Sequence, residues 1–327
     1  MIITVTPNPS VDRTIFIDEL PRGEIVRSRR GQSEPSGKGV NVALALNAHG
    51  YDVLAVLPVG GPDGVRMVEM LSLADLPHVL VPIAGQIRSN ISLVEPDGTV
   101  TKINEAGPVL DDSEIAALTA AALERTRDVT WIAGCGSLPA LANVNLYADL
   151  AHEGRRRGVR TAIDTSGAAL RAALAHRPHL VKPNVEELAE ATGRSLVTIG
   201  DVVDAAEVVR VRGAEAVLAS LGPDGAVLLD ANGAVHGEAR LAHVVSAVGA
   251  GDALLAGFLA AGGSGPGSLR SGLLWAAAAV QHEGTLYSGN GDAVPIEIHA
   301  DIARDRHLAE PPYRRASKKH IRATQPL

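Results

Sequence analysis

Cysteine is almost absent from this sequence, because Cys135 is the only one among 327 residues. No disulfide can therefore form within the chain, which is typical of proteins in a reducing compartment. The first twelve residues combine a short apolar stretch with a polar turn, and they lack the basic and apolar regions of a secretory leader. We therefore expect a cytoplasmic protein.

Aromatic residues and positive charge are also scarce. Aromatic side chains make up 2% of the chain, and the net charge is −7. This composition disfavours nucleic acid and anionic membranes as partners, and no apolar run approaches the ~18 residues of a membrane span. If the chain binds phosphates, a few well-placed Lys and Arg residues must provide the positive charge.

What the sequence does contain is a regular alternation of short apolar runs and helix-like patterns. This alternation predicts an α/β fold in which helices cover both faces of a mostly parallel sheet. The predicted strands are residues 2–5, 53–57, 79–83, 131–133, 161–163, 180–181, 216–219 and 226–229. The predicted helices are residues 40–49, 64–73, 112–125, 144–157, 185–191, 202–211, 252–261 and 269–282.

Two regions interrupt the alternation and predict a second, smaller β-sheet. One region holds two short exposed strands, 14–17 and 24–30. The other holds strands 88–94 and 99–104 on either side of Glu95-Pro96-Asp97-Gly98, which is a strong turn signal.

The domain organisation follows from this pattern. We interpret the segments of about 10–34 and 86–105 as a lid on a single domain of residues 1–309. Residues 310–327 are rich in proline and basic side chains, and we predict that they form a disordered tail.

The sharpest local signal is Gly249-Ala250-Gly251-Asp252, directly before a predicted helix. Small residues let the backbone approach a phosphate, and the free N–H groups and dipole of a helix start favour negative charge. Phosphoryl transfer spreads negative charge at such a place. Asp252, which the dipole would keep ionised, could accept the proton of the attacking hydroxyl. Taken alone, the pattern fits an ordinary tight turn with an acidic first helical turn equally well.

A second glycine loop, Ser36-Gly37-Lys38-Gly39-Val40-Asn41, presents a lysine before a helix. Lys38 and Asn41 would share a face of the helix start and could hold an anion, although a solvated lysine is the commoner arrangement. Neither loop has a dinucleotide or P-loop fingerprint, because Leu254 replaces the third glycine in one and Gly39 follows Lys38 in the other. A dehydrogenase is therefore disfavoured.

The segment Lys182-Pro183-Asn184, with Glu187 three residues after Asn184, offers hard oxygen ligands. Such ligands could hold Mg²⁺ largely through water. The same spacing is that of a capping box, in which Asn184 caps a helix and Glu187 reaches back to it. Both interpretations use the same atoms, and both stay open.

Three further groups could contact a small phosphorylated ligand. Arg88 and Asn90 on one predicted strand, with Lys102 on the next, could close positive charge over a phosphate, although such charges are also usual on an exposed hairpin. Asp12 could bind sugar hydroxyls or simply form a turn. The segment Ser220-Leu221-Gly222-Pro223-Asp224-Gly225 could cradle a nucleotide or form a hairpin turn.

Taken together and in order, these motifs resemble the PfkB (ribokinase-like) carbohydrate kinases, and within them the branch of 1-phosphofructokinase and tagatose-6-phosphate kinase. The resemblance covers roughly residues 1 to 290. The motifs that carry it are Thr6-Pro7-Asn8-Pro9-Ser10-Val11-Asp12, Ser36-Gly37-Lys38-Gly39-Val40-Asn41-Val42-Ala43, Thr101-Lys102-Ile103-Asn104-Glu105-Ala106-Gly107-Pro108, Lys182-Pro183-Asn184-Val185-Glu186-Glu187-Leu188 and Gly249-Ala250-Gly251-Asp252.

The resemblance implies a three-layer α/β sandwich, a β-sheet lid that often also makes a dimer contact, and the use of ATP with Mg²⁺. Asp252 would be the base, and the anion hole would consist of Gly249, Ala250 and Gly251. The sugar phosphate would be held by Asp12, Gly37, Lys38, Asn41, Arg88, Asn90 and Lys102. ATP would be bound by Lys182, Asn184, Ser220, Gly222, Gly225 and Gly251, and Asn184 and Glu187 would organise Mg²⁺ through water.

The main hypothesis is phosphorylation of fructose 1-phosphate at C6. The alternatives are tagatose 6-phosphate or fructose 6-phosphate, phosphorylated at C1, and a catalytically silent sugar-phosphate sensor. Lys38, Arg88 and Lys102 favour a substrate that already carries a phosphate, since a neutral sugar would not require three cations. The sequence departs from the family pattern at Ser36, Ala140, Ala247 and Ala253, which bears on rate and substrate preference more than on reaction type.

Overall fold

The computed structural model describes residues 1–125, 128–139, 142–241, 244–282 and 294–309. Two expectations, the disordered tail at 310–327 and the departure at Ala140, lie outside these residues.

The strands of the described residues form two sheets. In chain order they are β1 (Ile2–Val5), β2 (Ser10–Phe16), β3 (Arg30–Ser36), β4 (Val53–Val59), β5 (His78–Pro82), β6 (Arg88–Val94), β7 (Val100–Asn104), β8 (Trp131–Cys135), β9 (Arg160–Asp164), β10 (Leu180–Val181), β11 (Ala216–Ser220), β12 (Ala226–Asp230), β13 (Gly233–Ala239) and β14 (Ile296–His299). The large sheet has the order β14-β13-β12-β11-β10-β9-β8-β1-β4-β5, and the small sheet has the order β3-β2-β6-β7. In the large sheet, neighbours from β11 to β5 run parallel, and β12, β13 and β14 extend one edge antiparallel.

The helices of the described residues cover both faces of the large sheet. They are α1 (Lys38–Ala48), α2 (Gly61–Leu73), α3 (Asp112–Glu124), α4 (Leu146–Arg156), α5 (Gly167–Leu174), α6 (Val185–Thr192), α7 (Ile199–Val211), α8 (Ala250–Ala260) and α9 (Gly265–Ala279). One core contains side chains of α3 to α7, and the other contains side chains of α1, α2, α8 and α9. This three-layer arrangement confirms the predicted fold class. Across the described part of the chain, no helix is both long and apolar enough to pass through a bilayer.

The parallel strands are apolar on both sides because helices bury both faces. On β1, for example, Ile3 and Val5 enter one core, whereas Ile2 enters the other. Continuous apolar runs of this kind are recognisable in a sequence, and every predicted strand of the large sheet overlaps an observed one.

Other elements differ from the prediction. Helix α5 and strands β13 and β14 were not predicted, and the strand predicted at 24–30 is wrong, because β3 begins only at Arg30. Strand β3 contains Gly31 and Pro35, which are poor strand formers, yet it pairs residue by residue with β2. Its position is therefore determined by the partner strand rather than by local propensity.

Candidate active site

The loops that follow the parallel strands meet at one edge of the large sheet, because these strands point the same way. Cys135 and Asp164, the last residues of β8 and β9, lie in register with each other. Lys182 follows β10, and its backbone N–H donates to the carbonyl of Ile163 over 3.0 Å. Asn41 near the start of α1 is hydrogen-bonded to Asp252 near the start of α8.

Asp164 is the buried centre of a group of charges at this edge, which we call the charged cluster (Lys38, Asp164, Lys182, Glu187 and Asp252). Its Oδ1 lies 2.7 Å from Nζ of Lys38, and its Oδ2 lies 2.8 Å from Nζ of Lys182. Burial acts against the ionised form, but the charges of the two lysines hold the pKa of Asp164 below its usual value. A single carboxylate therefore positions both ammonium groups.

Lys38 has a second acidic partner, since its Nζ lies 3.2 Å from Oε1 of Glu187. Burial would lower the pKa of Lys38, but the carboxylates of Asp164 and Glu187 outweigh it and raise that pKa. Lys38 was predicted to hold the sugar phosphate. The structure places it in the site but already paired with two carboxylates, so its positive charge is largely compensated.

Asp252 lies in the first turn of α8, where Gly249 caps the helix with a φ of 78°. A left-handed backbone of this kind favours glycine. The carboxylate is buried, and its Oδ2 accepts a hydrogen bond from Nδ2 of Asn41 over 2.7 Å. Burial, and then the charge of Asp164, raise the pKa of Asp252 to about 6. The sequence-based argument from the helix dipole predicted the opposite direction, because it could not include this burial.

Lys182 lies against the glycine loop that begins α8. Its side chain is 4% exposed, and a Cβ added to Gly251 would be 3.5 Å from its Nζ. A buried ammonium group and the positive end of a helix dipole therefore occupy the same place, which suits an anion. The predicted anion-hole residues Gly249, Ala250 and Gly251 are the N-cap and the first two residues of α8.

Asn184 and Glu187 form the capping box that the sequence left open. Oδ1 of Asn184 accepts from the backbone N–H of Glu187 over 2.8 Å, and Oε2 of Glu187 accepts from that of Asn184 over 2.9 Å. Because its Oε1 faces Lys38, Glu187 has a partner on each oxygen. Within the described residues, the three-ligand group close enough to hold a metal ion is Glu238, Glu297 and His299, on β13 and β14.

The predicted sugar contacts on the small sheet lie together. Asp12 is opposite Asn90 in the parallel pairing of β2 and β6, and its Oδ1 accepts from Nδ2 of Asn90 over 2.9 Å and from Oγ of Ser10 over 2.7 Å. Arg88 donates to the backbone carbonyls of Asn8 and Glu105 over 3.2 and 3.3 Å. These contacts connect the small sheet to the loop after β1.

Lys102 shares a face with Arg88 but is not beside it. Lys102 is opposite Ser92, on the same side of the sheet as Asn90 and Arg88. Ser92 lies four positions after Arg88, which is about 13 Å along a strand. The expected single face is confirmed, but the register gives Arg88 and Lys102 different positions along it.

The predicted nucleotide loop is the hairpin turn between β11 and β12. Ser220 donates its backbone N–H to the carbonyl of Pro183 over 3.0 Å, which joins the turn to the Asn184 loop. A Cβ on Gly222 would meet nothing within 4 Å, whereas a Cβ on Gly225 would collide with the carbonyl of Gly237. Gly222 therefore lies on an open side of the turn, and Gly225 packs against β13.

Several buried polar atoms around this edge have no hydrogen-bond partner among the described residues. They are Oδ1 of Asn8, Oδ1 of Asn41, Nε of Arg88 and Oδ1 of Asn90. Unpartnered buried polar atoms are costly and uncommon. Acceptors and a guanidinium donor in one region suit a ligand with hydroxyl and phosphate groups.

Asp164 and Asn8 were not among the site residues predicted from the sequence. Asp164 was visible only as the first residue of a polar loop after a predicted strand, and this position at the sheet edge is the signal that could have identified it. Its lysine partner Lys38 is distant in the sequence, 126 positions before Asp164. Asn8 belongs to one of the family motifs, and its Nδ2 donates to the backbone carbonyl of Ala106 over 3.1 Å.

Comparison with known proteins decides the family. The family model described as pfkB family carbohydrate kinase matches residues 6–290, which is most of the chain. The chain belongs to this family. As a PfkB kinase it is an ATP-dependent phosphotransferase that acts on a sugar hydroxyl.

Individual proteins that the chain resembles are also sugar-phosphate kinases. The chain is 36% identical over 310 residues to the 1-phosphofructokinase of Haloferax volcanii, covering 94% of this chain and 99% of that protein. It is 35% identical over 260 residues to the 1-phosphofructokinase of Rhodobacter capsulatus, covering 79% and 82% of the two chains. Among solved structures, phosphofructokinase-2 from Escherichia coli in complex with potassium has a TM-score of 0.82 at 31% identity, covering 88% of this chain and 95% of that chain.

Proposed function

We propose that this PfkB kinase transfers the γ-phosphoryl group of MgATP to the C6 hydroxyl of fructose 1-phosphate, which gives fructose 1,6-bisphosphate and ADP. The observation that carries the proposal is the position of Asp252. A buried carboxylate with a pKa of about 6 lies at a glycine-capped helix start beside the ammonium group of Lys182. The curated relatives described above, both 1-phosphofructokinases, favour fructose 1-phosphate as the acceptor.

In the proposed reaction, Asp252 accepts the proton of the C6 hydroxyl. Because that hydroxyl is far less acidic than a carboxylic acid, proton transfer accompanies attack of its oxygen on the γ-phosphorus, while the bond to ADP breaks. A pKa of about 6 leaves Asp252 mostly ionised at neutral pH, and it also makes this group a stronger base than an ordinary carboxylate. Lys182 and the backbone N–H groups of the glycine loop stabilise the negative charge on the transferring group.

Substrate positioning is assigned to the small sheet and α1. Asp12 would accept hydrogen bonds from sugar hydroxyls, and Asn90 would donate hydrogen bonds to them. Asn41 would hold Asp252 in place. Arg88, with its buried and unpartnered Nε, would bind the phosphate already on the sugar. Lys38 would contribute positive charge beside Gly37, although Asp164 and Glu187 already compensate much of that charge. Lys102 would extend the positive face along the lid.

Mg²⁺ fits this site only as an ion held mainly by water and nucleotide phosphates. Asn184 and Glu187 supply oxygen ligands, but the capping box and Lys38 already use one lone pair of each of these oxygens. The ligand chemistry of Mg²⁺, with few carboxylates and several waters, is compatible with such a set. When bound, the ion would offset negative charge on the phosphates.

Residues 1–309 form one kinase domain, with the small sheet as its lid, and ATP binds along the Ser220–Gly225 turn. Ile91 and Ile103, on the sheet face opposite Asp12, are at least partly exposed, and such an apolar face suits a homodimer contact through the lid. A cytoplasmic location suits both substrates.

A coupled assay of ADP release tests the proposal across fructose 1-phosphate, tagatose 6-phosphate, fructose 6-phosphate and unphosphorylated fructose. We expect the highest kcat/KM with fructose 1-phosphate and little turnover of the unphosphorylated sugar. A higher kcat/KM with either 6-phosphate would overturn the choice of substrate. Absence of ADP release with all four sugars, together with sugar-phosphate binding, would favour the sensor.

A further inference from the structure

The last described segment of the chain, residues 304–309, connects two distant parts of the fold, and we call it the C-terminal strap. On one side its backbone pairs with Val197 and with the first two residues of α7, Ile199 and Gly200. Ile199 donates to the carbonyl of Arg306 over 3.0 Å, Gly200 donates to that of Arg304 over 2.8 Å, and Leu308 donates to that of Val197 over 2.9 Å.

On its other side the strap contacts the Ser220–Gly225 turn. Arg306 divides its guanidinium between two carboxylates, with NH1 2.7 Å from Oε2 of Glu238 on β13 and NH2 3.1 Å from Oδ1 of Asp224. The backbone N–H of Ala309 donates to Oδ2 of Asp224 over 2.6 Å. Both oxygens of the Asp224 carboxylate are therefore bound by the strap.

Asp224 is well placed to transmit this contact to the turn. It is the last residue of the short helical turn Gly222–Asp224, and its backbone carbonyl accepts from Nε2 of His236 over 2.7 Å. The next residue, Gly225, packs directly on the backbone of Gly237. One side of the turn is thus fixed by the strap and β13, while the side at Gly222 stays open.

We propose that Arg306 and Asp224 are positioning residues for nucleotide binding, through which the C-terminal strap holds the Ser220–Gly225 turn in its binding conformation. This inference rests on the proposed function, because it takes the turn to be part of the ATP site. Neither residue needs to touch the nucleotide. A charged hydrogen bond to a mostly buried carboxylate restrains the turn strongly, and loss of the arginine leaves Asp224 with a negative charge that favours rearrangement toward water.

The test compares Arg306→Ala with Arg304→Ala. Arg304 belongs to the same strap, but its side chain contacts Asp204 and the carbonyl of Gly200 on α7 instead of the turn. We expect Arg306→Ala to weaken calorimetric binding of a non-hydrolysable ATP analogue with Mg²⁺ by about 3- to 10-fold. The KM for fructose 1-phosphate should stay within about twofold, and Arg304→Ala should change neither quantity.

Two further variants separate positioning from general stability. Arg306→Lys keeps the charge but not the fork between two carboxylates, so it should fold like the parent and recover part of the binding. Asp224→Asn should weaken binding alone but add little in the Arg306→Ala background, because both changes break one contact. The inference would be overturned if Arg306 variants melt at a lower temperature but bind the analogue like the parent. An equal rise in the KM for ATP and the KM for fructose 1-phosphate would also overturn it.

Gly222→Val separates failure of this inference from failure of the proposed function. It should weaken analogue binding for two reasons: valine strains the backbone at the φ of 60° that Gly222 adopts, and its side chain fills the open side of the turn. If it binds like the parent, the turn is not in the nucleotide site and the inference falls with that assignment. If Gly222→Val and Arg306→Ala both weaken binding while fructose 1-phosphate is not phosphorylated, the strap inference stands and the proposed substrate is wrong.

Discussion

Asn41 donates a hydrogen bond from Nδ2 to Oδ2 of Asp252 over 2.7 Å, which ties the start of α1 to the start of α8. The bond joins residues that are 211 positions apart in the sequence. It favours the ionised carboxylate, and so it opposes the burial that raises the pKa of Asp252. Asn41 therefore affects both the position and the basicity of the proposed base.

Replacing Asn41 should change the pH profile. In Asn41→Ala, the pKa of Asp252 should rise further, so the acidic limb of kcat/KM should move to higher pH. Turnover near pH 6 should fall by about two- to tenfold. Asn47→Ala is the matched control, since Asn47 lies on the same helix and bonds only to backbone carbonyls. A profile that does not move in Asn41→Ala would contradict this role.

The raised pKa of Asp252 also makes a prediction about stability. Burial gives Asp252 a pKa of about 6 in the folded protein, against an ordinary aspartate value of 3.8. Because the folded state binds this proton more tightly than the unfolded state, protonation of Asp252 stabilises the fold. This stabilisation is fully present below about pH 4 and is lost as the pH rises through 6. Asp252→Asn should therefore be more stable than the parent at pH 7, on the order of 1–3 kcal/mol. Urea unfolding of both proteins at pH 4 and pH 7 checks this prediction. The same difference in unfolding free energy between variant and parent at both pH values would refute it.

Asp164 should matter more for stability than an exposed acid does. Asp164→Asn leaves the ammonium groups of Lys38 and Lys182 without their shared carboxylate, and breaking a buried pair in this way costs about 3–5 kcal/mol. Asp204→Asn breaks the exposed pair with Arg304 and should cost no more than about 1 kcal/mol. Equal unfolding midpoints for the two variants would show that the charged cluster does not stabilise the fold.

The register of the small sheet separates the effects of its two cations. Arg88→Ala should raise the KM for the sugar phosphate about tenfold or more, because its guanidinium is partly buried beside Asn8 and Asn90. Lys102→Ala should raise it less, because Lys102 is exposed and farther along the face. Arg13→Ala is a control on the opposite face. In all three variants the KM for ATP should stay near that of the parent. A larger rise in the KM for the sugar phosphate in Lys102→Ala than in Arg88→Ala would contradict this prediction.

How far the sequence predicts this molecule depends on how local each feature is. The Gly249 loop, the helix that follows it and the capping box of Asn184 are contiguous patterns, and the structure has all three. The apolar strands of the large sheet were visible because helices cover both of their faces. The ordered set of motifs also predicted the family, which the family model confirms.

Features that depend on tertiary contacts could not be predicted in this way. The pairing of Asp164 with Lys38 and Lys182, and the burial that sets the pKa of Asp252, require the folded sheet edge. Strand β3 takes its position from β2, and the separation of Arg88 from Lys102 depends on a pairing register that local patterns do not fix.

The central claim is that Asp252 is the general base, and Asp252→Asn tests it most directly. This variant keeps the size of the side chain and removes its basicity, while Lys182, Arg88 and the nucleotide turn stay unchanged. Steady-state kinetics with fructose 1-phosphate and MgATP should show a fall in kcat of about 10²–10⁴-fold. Calorimetric binding of fructose 1-phosphate should survive, and it should tighten slightly because a negative charge is gone. Turnover at the parent rate would show that Asp252 is only a helix-start residue and would contradict the proposed mechanism.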